Sequence, residues 1–374
     1  MRAKAPASLR QEGRARRPRP TGATPDEVAL LLDLVTIPSE SGQEGPAVDW
    51  LVEWLERRGV AARRDEVGNA VAVVEPQPGA APAAPIYLLG HIDTVAGHWK
   101  PVVESGRLSG RGASDAKGPL AAFVAAALRA RASGRLRRPV HILGAVAEES
   151  SSLGARHLGR TLPAPGFLIV GEPSGASRLV VGYLGRLRCH GELRCTAAHT
   201  SRPDPTAAEL GVATWLAVRA MVEELNRDSS GFEAVHPHLL GLQSGSDGLI
   251  DHALLQLGFR LPPQLSAAQM LDRLRAATPD VDWVADAGEE AAVVPRHGAL
   301  PAAFLRAMSE LGMSPTWQRR LATSDLNVVL PVWRCPAIVY GPGDASLDHT
   351  PQESIAVDDY GSAIAVLTRV LTGL

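Results

Sequence analysis

From Thr24 onward, apolar residues recur first with a helical period and then in short continuous runs. DEVALLLDLV and AVDWLVEWLERRG space leucine, valine and tryptophan three and four residues apart, as a helix with one buried face requires. After them come AVAVV, PIYLLG, HILGAVA and FLIVG, runs of strand length bounded by turn residues. Helical periods alternating with buried strands predict a layered α/β domain, a mixed sheet with helices on both faces. Near Tyr183 the pattern changes. RLRCHGELRC alternates like a half-solvated strand, a helix is predicted over 206–225, and strands over 250–261 and 281–287 flank a helix near 267–276. This order suggests a smaller α+β insert with an exposed edge. From about Pro295 the helix PAAFLRAMSELG and the strand AIVYG return to the first domain. The expected division is a tail over 1–23, a discontinuous domain over 24–182 and 295–374, and an insert over 183–294.

Length supports two domains, because 374 residues exceed the size at which single cores split. No uninterrupted apolar run approaches the roughly 18 residues of a membrane span, so no membrane association is expected. No nucleic-acid partner is expected either. Cys189, Cys195 and Cys335 form no C-x-x-C pair and cannot all be disulfide-bonded within the chain, which suits a reducing cytoplasm. The first twenty residues carry seven Arg or Lys, one Glu and no apolar core. They read as a disordered basic tail or an over-extended start rather than a secretory signal. The basic stretch 129–138 is expected to end a helix, and it could also meet an acidic protein.

Histidines and carboxylates stand at the edges of the apolar runs. His91 follows YLLG, where Gly90 is expected to turn the backbone out of the sheet. Asp93 is placed to accept the second imidazole N–H and fix the tautomer. Asp115 lies in GRGASDAKGPLAAF, at the start of an alanine-rich helix running to about Ala132, where it or Ser114 could equally be an N-cap. As a bridging ligand it would need firm placement, and a strained or cis Asp115–Ala116 peptide is expected, a form that costs about 3–4 kcal/mol. Glu148 and Glu149 end HILGAVA, and adjacent carboxylates at a buried strand end repel unless cations relieve them. Glu172 follows FLIVG, and His349 follows AIVYG in GPGDASLDHTPQE.

Four candidate ligands thus leave four apolar runs in the same sense. In an open α/β sheet the carboxyl ends of strands line the ligand crevice, so positions far apart in sequence can converge. Imidazole suits zinc and similar metals, while a carboxylate can bridge two ions. Two such ions lower the pKa of a shared water and polarise a carbonyl, leaving one carboxylate free as a base. The set points to a metal-dependent amide hydrolase. A metal-binding but non-hydrolytic protein is the alternative from another class. GEPSG is no nucleophile elbow, because Ser174 falls one place late for G-x-S-x-G. Arg260, in LLQLGFRLPP, offers a planar donor fork for a substrate carboxylate, or is simply a surface arginine at a strand end. His199, in AAHTSRP, is from sequence alone a histidine before a hydroxyl-rich turn.

GHIDTV, GRGASDAKGPLAAF, AEESSSLGARHL, GEPSG and GYLGRLRCHGELRC together resemble the dinuclear zinc aminoacylase and carboxypeptidase family that includes acetylornithine deacetylase and succinyl-diaminopimelate desuccinylase. The resemblance runs from Thr24 to the end and is greatest to the lysine and ornithine biosynthesis branch. It implies two divalent ions, zinc first and cobalt second, one held by His91, Asp115 and Glu172, the other by Asp115, Glu149 and His349. Asp115 would bridge, Glu148 would be the general base, and Asp93 would orient His91. The resemblance further implies a ferredoxin-like insert that forms a homodimer and closes over substrate, with His199 reaching the partner subunit's site to polarise the scissile carbonyl. Arg260 would bind a substrate carboxylate. Thr323 and Ser324, with Asp325, would form a substrate-contacting loop, although Ala322 stands where many relatives have glycine. The implied reaction releases lysine or ornithine from the C-terminal glutamate of an acidic amino-group carrier protein, in lysine or arginine biosynthesis. Deacetylation of N-acetyl-lysine or N-acetyl-ornithine, and cleavage of dipeptides, are the alternatives.

Overall fold

Thr24 opens the first helix through a reciprocal cap: its hydroxyl accepts from Glu27 N, and the Glu27 carboxylate accepts from Thr24 N at 2.7 Å. The computed structural model describes residues 22–199 and 201–374, so the basic segment 1–21 lies outside the described residues. Gly22 and Ala23, placed in the tail by sequence, belong with the fold: Gly22 O accepts from Arg129 and Ala23 packs on the core.

Elements follow in chain order as α1 (Pro25–Thr36), α2 (Gly45–Glu56), β1 (Ala61–Arg64), β2 (Ala70–Val74), β3 (Ile86–His91), β4 (Val102–Glu104) and β5 (Arg107–Ser109). Next come α3 (Lys117–Ala132), β6 (Val140–Ala145), α4 (Leu153–Thr161), β7 (Phe167–Gly171) and β8 (Arg178–Tyr183). Then follow β9 (Gly185–Thr196), α5 (Ala207–Leu225), β10 (His236–Ser246), β11 (Ile250–Leu261), α6 (Ala267–Ala277) and β12 (Asp282–Glu289). The chain closes with β13 (Ala292–Val293), α7 (Ala299–Glu310), β14 (Thr316–Arg320), α8 (Asp325–Trp333), β15 (Ala337–Val339), β16 (Ser354–Ala356) and α9 (Val357–Gly373).

The large sheet is mixed, in the order β1-β2-β6-β3-β7-β15-β8-β13, with β14 beside β8. Its centre, β6-β3-β7-β15, is parallel, and its flanks are largely antiparallel. Alternate residues of β3 explain its unbroken apolar run. Ile86 and Leu88 enter the core under α1, α2, α3, α7 and α9, while Tyr87 and Leu89 enter the core under α4 and α8. The chain passes from β3 to β6 on one side and then to β7 on the other, so the strand order reverses at β3, where α/β folds place ligands.

Gly90 does not turn the chain. It remains inside β3, in register with Gly144 of β6 and Gly171 of β7. A Cβ on Gly90 would meet Leu120 at 3.4 Å, and one on Gly171 would meet Phe123 at 2.7 Å. This row of glycines lets α3 lie against the strands, which brings Asp115, two residues ahead of the helix, to the strand ends.

The chain leaves the large sheet after Tyr183 and rejoins it at Ala292, slightly before the expected Pro295. Between them lies an antiparallel sheet in the order β10-β11-β9-β12. Its inner face (Leu187, Cys189, Leu255, Leu257, Phe259) buries against Val218 and Val222 of α5 and Met270 and Leu274 of α6. The opposite face carries Arg186, Arg188 and Arg260. No helix among the described residues is long and apolar enough to cross a membrane.

Candidate active site

His91, at the end of β3, is buried and points its Nε2 at Asp115 Oδ1, 3.1 Å away. The other Asp115 oxygen is 3.2 Å from His349 Nε2, which in turn lies 2.8 Å from Glu149 Oε1. One carboxylate therefore stands between two imidazoles. The side-chain N-cap reading of Asp115 is not realised, since Ala116 caps α3 without a side-chain bond. The Asp115–Ala116 peptide is cis, as the sequence reading allowed.

Asp93 anchors the site. Its Oδ1 and Oδ2 accept from the backbone N–H groups of Glu148 and Glu149, each at 3.0 Å, and Oδ2 also accepts from the Ser41 hydroxyl at 2.7 Å. The nearer partner of His91 Nδ1 is the Asp93 carbonyl, at 3.0 Å, with the carboxylate at 3.5 Å. One residue thus fixes both, the imidazole chiefly through its carbonyl and the turn that carries two glutamates through its carboxylate. Glu172 directly follows β7 and lines the same cleft as Asp115, Glu148, Glu149 and His349, a cavity of about 670 Å³.

Burial, followed by the neighbouring carboxylates, holds Glu148 and Glu172 well above the usual range despite the opposing charge of His91. Burial pushes Asp325 up to about 7, and burial with Asp115 nearby pushes Asp348 up to about 8. Burial would raise Asp115 too, but hydrogen bonds from His349 and His91 draw it below its ordinary value. Hydrogen bonds to Asp115 and Glu149 lift His349 to about 10. Burial opposes protonation of His91, yet its bonds to Asp115 and Asp93 raise it well above its ordinary value. So many carboxylates around two imidazoles fit a donor set for divalent cations, whose charge would offset the repulsion. The donor atoms of His91, Asp115 and Glu149 already lie within 4.8 Å of one another.

The model of peptidase family M20/M25/M40 matches residues 87–373. The chain belongs to that family. A relative named "[LysW]-lysine hydrolase" from Deinococcus radiodurans is 38% identical over 362 residues, covering 94% of this chain and 98% of its own. Another, "[LysW]-lysine/[LysW]-ornithine hydrolase" from Sulfurisphaera tokodaii, is 26% identical and covers 92% of this chain and 94% of its own. Among solved structures, a tripeptidase from Staphylococcus aureus superposes with a TM-score of 0.76 at 19% identity, covering 92% of this chain and 97% of its own. An M20 family metallo-carboxypeptidase from Sulfolobus solfataricus gives 0.74 at 18%, covering 93% and 99%. The chain thus shares the α/β fold and the hydrolase membership of the family.

The remaining sequence candidates divide. Arg260 lines the cleft and donates to Thr323 Oγ1 at 3.0 Å, so it is not a free surface arginine. Ser324 also lines the cleft, but its hydroxyl caps α8 by accepting from Leu326 N at 3.3 Å. Ser174, buried, bonds the Gly341 carbonyl, consistent with a structural role. His199 is exposed, bonded to Ser201, beyond the far end of β9 from Arg186. Twelve strand residues at roughly 3.3 Å each put it on the order of 40 Å from the cleft of its own chain. Three of the five arginines of the basic stretch are engaged internally: Arg129 pairs with Glu27, Arg131 bonds carbonyls of Arg58 and Gly59, and Arg138 bonds Leu374 O and Ala84 O, while Arg135 and Arg137 are exposed. The stretch lies at the opposite end of α3 from Asp115.

Sequence reasoning missed Glu353, four residues after His349 in a motif it had singled out. Glu353 is fully buried, takes Arg111 Nη1 at 2.7 Å, and accepts from the N–H groups of Gly112, Ser114 and Asp115 at 2.9, 3.1 and 3.1 Å. It organises the loop that presents Asp115. Gly112 (φ +87°) turns that loop where a Cβ would come within 2.8 Å of Thr94. Glu353→Ala strands the Arg111 guanidinium and is expected to destabilise the fold by about 3–5 kcal/mol, read from urea denaturation of the metal-free protein. A change under about 1 kcal/mol would mean that the loop holds itself.

Proposed function

We propose that this chain is a dinuclear metal-dependent amidase that releases lysine, ornithine or both from the C-terminal glutamate of an acidic amino-group carrier protein. The observation that carries the reading is Asp115 standing between His91 and His349, with Glu149 beside His349 and Glu148 in the same cleft. The full-length similarity to relatives named for [LysW]-lysine and [LysW]-ornithine supports the substrate. His91, Asp115 and Glu172 would hold one ion and Asp115, Glu149 and His349 the other, zinc before cobalt for this donor set. When bound, the ions would supply Lewis acidity and lower the pKa of water.

The chain's own residues divide the rest of the work. Glu148 takes a proton from the attacking water and passes it to the departing amine as the C–N bond breaks, leaving the acyl half as a carboxylate. It lines the cleft and takes no part in the contacts among His91, Asp115, Glu149 and His349, which suits a group that must accept and then return a proton. Asp93 orients His91 and the glutamate turn. Arg260 and Thr323 bind a substrate carboxylate, with Ser324 shaping the loop beside them.

Residues 24–182 and 295–374 would form the catalytic domain, and 183–294 a ferredoxin-like lid that also makes a homodimer. Edge strand β10 leaves one flank unpaired, and Val212 and Leu216 on the outer side of α5 are exposed, features suited to pairing with a second copy. In such a dimer His199 would serve the partner's cleft, consistent with its distance from its own. The setting we propose is the cytoplasm. The test is mass-spectrometric turnover on zinc- or cobalt-loaded enzyme, offering carrier-linked lysine and ornithine beside their N-acetyl forms and a dipeptide. Preference for the conjugates is expected. Preference for a free amide would make the chain a deacetylase or peptidase, and activity on none would leave a non-hydrolytic metal protein.

A further inference from the structure

The cleft has two walls of opposite charge. One presents Asp115, Glu148, Glu149 and Glu172; the other presents Arg186, Arg188, Arg260 and Arg320. The β-sheet register assembles the second wall. Arg260 of β11 is the cross-strand partner of Arg186 on β9, and Arg188, two residues further, projects from the same face. Glu289 of β12 pairs with Arg186 from the other side.

This wall has more cations than its own partners account for. Glu289 is bonded to both Arg186 and Arg156, each at 2.8 Å, so a single carboxylate serves two guanidiniums. Arg320 donates to the Pro173 carbonyl and Arg260 to the Thr323 hydroxyl, both neutral. Among the described residues the Arg188 side chain, exposed at the rim of the cleft, has no hydrogen bond or ion pair, and across from it stands Gly258, which has no side chain to offer. Like charges gathered along one wall, three of them half-buried and Arg188 exposed, repel, and an anionic ligand offsets that repulsion.

We propose that Arg188, with Arg186 beside it, forms a second carboxylate subsite, distinct from the one at Arg260 and Thr323, and that the substrates are amides carrying a carboxylate on both the amine and the acyl half. The inference rests on the amidase reading and specifies its substrate class. The amine half, an amino acid, brings its own carboxylate to Arg260. The acyl half brings the second. A glutamate joined to an amine through either of its carboxyl groups leaves the other free, whereas an acetyl group offers none. The subsite therefore reads the last residue of a glutamyl donor and discriminates against simple acyl amino acids.

The test uses full-length, divalent-metal-loaded enzyme with Nα-glutaryl-lysine and Nα-pentanoyl-lysine, which have acyl chains of equal length with and without a terminal carboxylate. Wild type is expected to favour the glutaryl amide in kcat/KM by about ten- to a hundredfold, the range of a hydrogen bond to a charged group. Arg188→Ala should bring that ratio towards one, Arg188→Lys should restore part of it, and Arg188→Glu should invert it. A parallel equilibrium measurement is independent of turnover: glutarate should bind wild type more tightly than pentanoate, and Arg188→Ala should lose the difference. Cleavage of both amides at similar rates by wild type, or an equal loss on both in Arg188→Ala, overturns the subsite and leaves the amidase reading standing. Cleavage of neither, by metal-carrying enzyme that does cleave carrier-linked lysine, overturns the subsite alone; cleavage of none of the three overturns both.

Discussion

Glu148→Gln is expected to lower kcat by at least about 10²- to 10⁴-fold, the usual cost of losing a general base, while metal content and substrate affinity stay close to wild type. The substitution is unusually clean here. What places residue 148 is its backbone, because its N–H donates to Asp93 Oδ1 at 3.0 Å whatever the side chain is. The contacts among His91, Asp115, Glu149 and His349 involve no atom of Glu148. Glutamine keeps the volume and removes the capacity to take a proton. Single-turnover rates on the carrier conjugate, with metal stoichiometry by mass spectrometry, check the prediction. Activity above a tenth of wild type would remove Glu148 from the base role, and loss of an ion would make it a ligand instead.

The second large effect is on stability. Between about pH 5 and 9 the metal-free protein is expected to lose stability steadily as pH rises, whereas the metal-loaded protein is not. Glu148 and Glu172 are raised by burial, with Asp325 near 7 and Asp348 near 8, so folding holds protons that the unfolded chain releases at lower pH. Their contribution is complete below the unfolded carboxylate pKa and disappears as pH climbs through the folded values. His349, lifted to about 10 by Asp115 and Glu149, has the same sign: its contribution is complete below the unfolded imidazole pKa and is lost towards pH 10. Asp115 and Asp93 are lowered, so what they contribute is lost only in acid, below this window. Bound divalent ions require ionised carboxylates and release protons, so metal stabilisation should grow with pH. Tm measured in chelator and in excess zinc at intervals from pH 5.5 to 8.5 should give curves that diverge upward. Parallel curves would mean that the carboxylate cluster is not the metal site.

Different parts of this molecule were legible to different degrees, for reasons that particular residues expose. β3, β6 and β7 were plain because a parallel strand buried on both faces is apolar at every position and ends where polarity begins. His91, Glu148 and Glu172 stand at or just beyond those ends. β10 carries HPHLLGLQSGS, with few apolar residues and several glycines, and it sits at a sheet edge with one flank unpaired. No strand was assigned there from the pattern. Gly90 was misread because sequence does not distinguish a glycine needed for a turn from one needed so that a helix can approach. His349 lies ten residues beyond β15 in irregular chain, at φ 61°, where periodicity says nothing. The motif around it and the family resemblance marked it.

By itself, then, the sequence determined the layered class, the approximate places where the chain leaves and rejoins the main sheet, and which side chains are of types able to bind metal or carry a proton, because apolar patterning and ligand type are local properties of residues. Only the tertiary structure decided which of these meet. The parallel order β6-β3-β7-β15 gathers the strand ends, the glycine row brings Asp115 against His91, and Glu353 fixes the loop between them. Cross-strand register assembles Arg186, Arg188 and Arg260 into one charged wall. Those are consequences of long-range packing and pairing, which no window along the chain contains.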